Sequence, residues 1–234
     1  MQSMGEQRQV SNRFREIWEE LQTVFSGRVR WADSLLPPLT FLILNTVLGF
    51  QAALWGSLGL ALLFVGFRLV RKQPLRYALG GFGGVILAVL VARYVGTAEG
   101  YFLPGIVSGV FTTLLCLGSV ILRRPLVAWT SFITRRWPLN WYWQPQVRPA
   151  YSEVTMAWAI FFALRTALQF ELFQDQAANV LGLVQLITGW PAIIILLVAS
   201  YLYGTWRLGR LGGPSVEEFL AGAEPPWQGQ QRGF

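Results

Sequence analysis

The stretch Leu35–Phe67, LLPPLTFLILNTVLGFQAALWGSLGLALLFVGF, holds 33 residues without one formal charge. A single membrane span needs about 20 residues, and Gly49-Phe50-Gln51 offers a turn near the middle. The stretch therefore reads as a hairpin of two apolar helices, over 35–50 and 52–70. Pro37 and Pro38 fall in the first turn of the first helix, where a missing N–H costs nothing.

The same pattern continues downstream. A third span over 77–95 opens on Gly80-Gly81-Phe82-Gly83-Gly84, and a fourth over 102–122 begins with Pro104 and carries Gly105 and Gly109. Small residues four apart permit close approach of helices. Spans five and six read over 154–173 and 182–204. An apolar hairpin followed by basic residues and Pro-Leu occurs twice, at 71–75 and at 123–126, a weak hint of a duplicated two-helix unit.

The connecting segments are of another kind. In 12–25, Phe14, Ile17, Trp18, Leu21, Val24 and Phe25 recur at steps of three and four, with Arg13, Arg15, Glu16, Glu19 and Glu20 opposite. This spacing predicts an amphipathic helix that lies in the membrane interface, packs on the protein's own cytoplasmic face or binds a partner. In the long connection 123–152, Leu126, Val127, Trp129, Thr130 and Ile133 predict a short amphipathic helix ending at Arg135-Arg136. The Trp-rich stretch 137–143 suits the interface plane. The polar tail, 206–234, is expected to be irregular.

Composition agrees with this division into a cytoplasmic segment 1–33, a transmembrane domain 34–205 and a tail 206–234. The chain is 53% hydrophobic and 13% charged, against about 25% charged in a soluble domain. Its net charge of +7 does not point to nucleic acid, because the basic residues sit beside apolar spans, where anionic lipid headgroups meet them. With six spans, seventeen Lys and Arg fall on one side and only Arg93 on the other, beside the acids Glu99, Glu171 and Asp175. The positive-inside rule then puts both termini in the cytoplasm. The N-terminus has no cleavable signal pattern, so the first span is expected to direct insertion. The fold class is an all-α polytopic bundle of six transmembrane helices with an interfacial helix before them.

Chemistry is scarce. There is no histidine and one cysteine, Cys116, in an apolar run. No phosphate-binding loop, paired cysteines or HExxH-type metal site is present. No catalytic residue, metal or cofactor is expected. Arg165, inside span five, stands apart, since an arginine at the bilayer centre costs about 2.5–3.5 kcal/mol on the insertion scale. Gln169 lies one turn on along the same face, and Gln185 and Asn45 are candidates for the same depth, whereas Glu171 points elsewhere. One reading is a site for an anion or a lipid headgroup. The other is a structural polar clamp or a snorkelling arginine. Asn45 also suits an interhelical hydrogen bond. Arg71, Lys72, Arg123, Arg124, Arg135 and Arg136 mark topology and are candidates for lipid-headgroup or partner contact.

The Leu35-Leu36-Pro37-Pro38 opening, the basic-x-Pro-Leu stops and Thr155-Met156-Ala157-Trp158-Ala159-Ile160-Phe161-Phe162 resemble the intracellular septation protein A family of bacterial inner-membrane proteins. They also resemble a related bacterial membrane family of unknown function. The resemblance covers roughly 34–205. It implies a bacterial cytoplasmic-membrane protein connected with envelope or division machinery, without an established reaction and without catalytic residues to carry over. The long N-terminal segment, the Trp-rich loop and the tail depart from the septation pattern. The expectation is a non-enzymatic scaffold or accessory subunit with a protein partner in the membrane. The alternative is a small transporter or channel for an anionic or lipid-like solute built around Arg165.

Overall fold

The computed structural model describes residues 31–70, 75–230 and 233–234, and these form helices and turns without strands. The amphipathic helix expected at 12–25, and Arg71 and Lys72, lie outside the described residues. Helices α1 (Trp31–Leu48) and α2 (Phe50–Val70) pack together as the expected hairpin. They turn at Gly49, whose φ of +83° favours a residue without a Cβ. Helix α1 starts at Trp31, ahead of the expected boundary, so Pro37 and Pro38 stand inside it. They interrupt its hydrogen-bond ladder instead of opening it.

Next come α3 (Leu75–Val95), a 3-10 turn (Glu99–Phe102) and α4 (Leu103–Ile121), with Pro104 in the first turn of α4 as expected. Helices α5 (Leu126–Arg135) and α6 (Leu139–Tyr142) follow, then the long α7 (Arg148–Gln174), α8 (Ala178–Ile187), α9 (Trp190–Leu211) and α10 (Val216–Leu220). Among the described residues, four helical stretches are long and apolar enough to cross a membrane: Phe50–Phe67, Glu99–Ile121, Arg148–Gln174 and Ala178–Leu211. Leu36–Leu48 and Phe82–Val95 are shorter apolar helices. Large apolar side chains such as Val47, Leu63, Phe111 and Ile195 are exposed along these stretches, as lipid-facing surfaces require.

The stretch expected as one sixth span is two helices. The ladder stops at Ile187 and restarts at Trp190, across Thr188 and Gly189. Pro191, in the first turn of α9, has no N–H to continue it. Ala178–Leu211 spans 34 residues, about 50 Å of helix at 1.5 Å per residue. That is more than one crossing of a hydrocarbon core of about 30 Å requires, and Leu208 lies near the C-terminal end of α9.

That end enters a compact aromatic layer. Trp141, Tyr142 and Tyr151 are fully buried there against Ala128, Val147 and Leu208. The Trp141 indole N–H donates to the carbonyl of Pro214 at 2.9 Å. Trp141 and Tyr142 are thus buried by the protein itself, and the described part of the tail is mostly irregular, as expected, apart from α10. Gly212, at φ +60°, closes α9. Ser215 and Glu218 then form a reciprocal capping box for α10. Phe234 stacks on Tyr151 with ring centroids 4.3 Å apart, and its carbonyl accepts from Arg135 Nε at 3.0 Å. Helices α7 and α9 are clasped by Glu153, which takes two hydrogen bonds at 2.8 Å from the Arg207 guanidinium and one at 2.7 Å from the Tyr203 hydroxyl. Burial pushes the Tyr142 phenol up, and its hydrogen bond with Ser131 partly offsets this.

The Glu218 carboxylate accepts the backbone N–H groups of Gln228, Ser215 and Gly229, and these hold its pKa below the usual carboxylate range. Because the folded value is the lower one, the contribution is complete above the unfolded value of about 4.3. It is lost as pH falls through the folded value. Amide-exchange protection at Gln228 and Gly229 should therefore hold from neutral pH to about 4.3 and fall below it, and Glu218→Gln should reduce it at neutral pH.

Candidate functional site

Arginine 165 has no salt bridge among the described residues, and Glu171 does not pair with it. Its side chain is half-buried, with Nε sealed from solvent and without a hydrogen bond. On the same side of α7, Thr166 is buried and Gln169 is 1% exposed. The Thr166 hydroxyl and both polar atoms of the Gln169 carboxamide are unpartnered, as is Gln185 Oε1 on α8. These four residues account for all but one of the sealed, unpartnered side-chain atoms among the described residues; the other is the Tyr151 hydroxyl.

Two glycines of α4 create room for this group. A Cβ on Gly105 would stand 2.7 Å from Gln185 Nε2, and one on Gly109 would collide with the Thr166 hydroxyl. The expected close approach at Gly105 and Gly109 is therefore real, whereas Gly84 faces open space. With only hydrogen at these two positions, α4 comes close enough to α7 and α8 to enclose polar side chains.

The break between α8 and α9 lies at the same level. Helices α7 and α9 run antiparallel, with Trp158 Nε1 donating to Ser200 Oγ at 2.9 Å. Eleven residues on from Trp158 is Gln169, and eleven back from Ser200 is Gly189. The polar group and the interrupted ladder therefore share one layer. Arg165 lies ten residues from Asp175, the C-cap of α7, or about 15 Å along the axis. That is half the thickness of a bilayer core.

The structure thus brings Arg165, Gln169 and Gln185 to one layer, and adds Thr166. It does not bring Asn45, whose Nδ2 donates to Asn179 Oδ1 at 3.4 Å near the start of α8. Asn45 is an interhelical tie and no part of the Arg165 group. At the other end of the bundle Arg123 and Arg136 are exposed, both with positive φ. The Arg124 guanidinium lies 4.3 Å from the Trp143 ring centroid, and that of Arg135 lies 5.1 Å from Trp137. Arg135 is thereby turned into the fold.

A family model described as "Protein of unknown function (DUF3159)" matches residues 25–206. The chain belongs to the DUF3159 family. No curated protein and no solved structure matches it. The match supports the expected resemblance to a family of unknown function and gives none to septation protein A. In this DUF3159 chain the matched region contains the whole polar layer and the α8–α9 break, and it stops short of α10 and the tail.

An unpartnered buried amide destabilises by about 1–3 kcal/mol. In the ligand-free protein Gln169→Met should therefore raise Tm. Gly109→Leu, which overpacks the same contact, should lower it by the equivalent of about 1–3 kcal/mol or more. Thermal unfolding in detergent measures both, and a lower Tm for Gln169→Met would show that the amide already has a partner.

Proposed function

We propose that this DUF3159 protein is a six-span carrier of the bacterial cytoplasmic membrane. It binds an anionic or lipid-like solute at Arg165, Thr166, Gln169 and Gln185 and performs no chemical step. The six spans would be α1, α2, α3, the Glu99–Ile121 stretch, α7 and the α8–α9 pair. Both termini would be cytoplasmic, in keeping with the arginines around the aromatic layer and the acids Glu99, Glu171 and Asp175 away from it.

The observation that carries this reading is the concentration of unpartnered polar atoms, one of them on an unpaired guanidinium, in a single layer of an apolar bundle. A structural clamp would pair these groups with one another. Unpaired, they suit a ligand that is not always present. Arg165 Nε and the Gln169 amide are sealed from solvent, which suits a closed carrier better than an open channel. Interrupted helices form the substrate site in other carriers, and the break at Thr188 and Gly189 would allow α8 to move and open the layer.

A second reading, a scaffold or accessory subunit linked to envelope or septation machinery, is favoured by α5, which exposes Trp129 and Ile133 beside the aromatic layer. Purification in mild detergent, with mass spectrometry of bound proteins, lipids and small anions, separates the two. The carrier reading expects an anionic ligand that Arg165→Leu weakens by about ten- to hundredfold, the worth of a charge-assisted hydrogen bond. A stoichiometric protein partner retained by both forms, with no anion, would favour the scaffold.

A further inference from the structure

The unpartnered atoms of the polar layer are of two kinds. Arg165 Nε and Gln169 Nε2 only donate, whereas Gln169 Oε1 and Gln185 Oε1 only accept. The Thr166 hydroxyl does either. Turning the Gln169 carboxamide over exchanges its two ends but still leaves one donor and one acceptor without a partner. An anion that accepts hydrogen bonds and offers none satisfies the guanidinium, yet it sets its own oxygens against the Gln169 carbonyl. That acceptor stays orphaned, at a cost of about 1–3 kcal/mol.

We infer that the layer selects an oxyanion bearing its own hydroxyl group, with the charge on Arg165 and the hydroxyl donating to the carboxamide oxygen of Gln169. This rests on the carrier reading and narrows its ligand. The planar guanidinium fork matches a carboxylate or a phosphate, so two sources share the chemistry: a small hydroxy acid and a hydroxylated phospholipid headgroup. A site built to receive a hydroxyl rejects the analogue lacking it far more strongly than an apolar pocket would.

Two matched pairs test this on the full-length protein in phosphatidylcholine nanodiscs. Lactate and propionate differ by one hydroxyl, and phosphatidylglycerol and phosphatidylpropanol by the two headgroup hydroxyls. Affinities are read by calorimetry for the acids and by native mass spectrometry for the lipids. The expected result is about tenfold or greater preference for the hydroxylated member of one pair, which identifies the source. Gln169→Leu should bring that pair to near equality, and Arg165→Leu should weaken both members. Equal affinities within each pair, still lowered by Arg165→Leu, would overturn the hydroxyl selection and leave the anion site standing. Binding of neither pair, or binding indifferent to Arg165→Leu, would overturn both.

Discussion

In hydrocarbon, a polar group that finds no partner within the protein has no water to turn to. The bundle obeys this constraint almost everywhere. Backbone groups close their own ladders, and hydroxyls along the helices return to them: Thr46 donates to Leu42 O, Ser57 to Leu54 O, Thr113 to Gly109 O, Thr188 to Val184 O and Ser200 to Leu196 O. Thr166 does not make this return bond, although its helix continues on both sides. The hydroxyl that breaks the pattern stands beside the unpaired arginine and one turn from the unpaired glutamine.

The rest of the architecture is consistent with maintaining that exception. Gly105 and Gly109 bring α4 close enough to exclude solvent from the polar side chains. At one end Phe41 stacks on Tyr101 with centroids 4.0 Å apart, fastening α1 to the turn that leads into α4. At the other, the Glu153–Arg207 clasp and the tail folded over Tyr151 hold α7 to α9. Leu172 and Phe173 pack α7 against the Phe41 cluster at the first end, and the interrupted ladder between α8 and α9 lies between the two fastened ends, level with Gln169.

What the sequence disclosed follows from the same physics. The apolar hairpin was legible because a charge-free run has few structural alternatives, and Gly49 turns it where expected. Arg165, Gln169 and Gln185 announced themselves as polar groups in apolar runs. Thr166 did not, because a threonine in a span ordinarily bonds back to its own helix. Asn45 makes the interhelical hydrogen bond its position suggested, but to Asn179 at the start of α8, a level that span boundaries read from composition did not separate from that of Gln185. The break at Gly189 was carried by Gly189-Trp190-Pro191, a proline signal overridden by the length of the apolar run around it. The tail's irregular backbone was legible in its composition, but its packing was not, because its contacts, Phe234 with Tyr151 and Pro214 with Trp141, join residues far apart in sequence.

The most direct measurement is an experimental density map of the protein in native lipid, at a resolution that shows ordered waters, centred on the layer between α4, α7 and α8. Density larger than water should touch Arg165, Gln169 and Gln185 and be continuous with a solute or headgroup. An empty layer with Arg165 turned out to the lipid interface, or one in which water alone satisfies the carboxamides, would contradict the carrier reading.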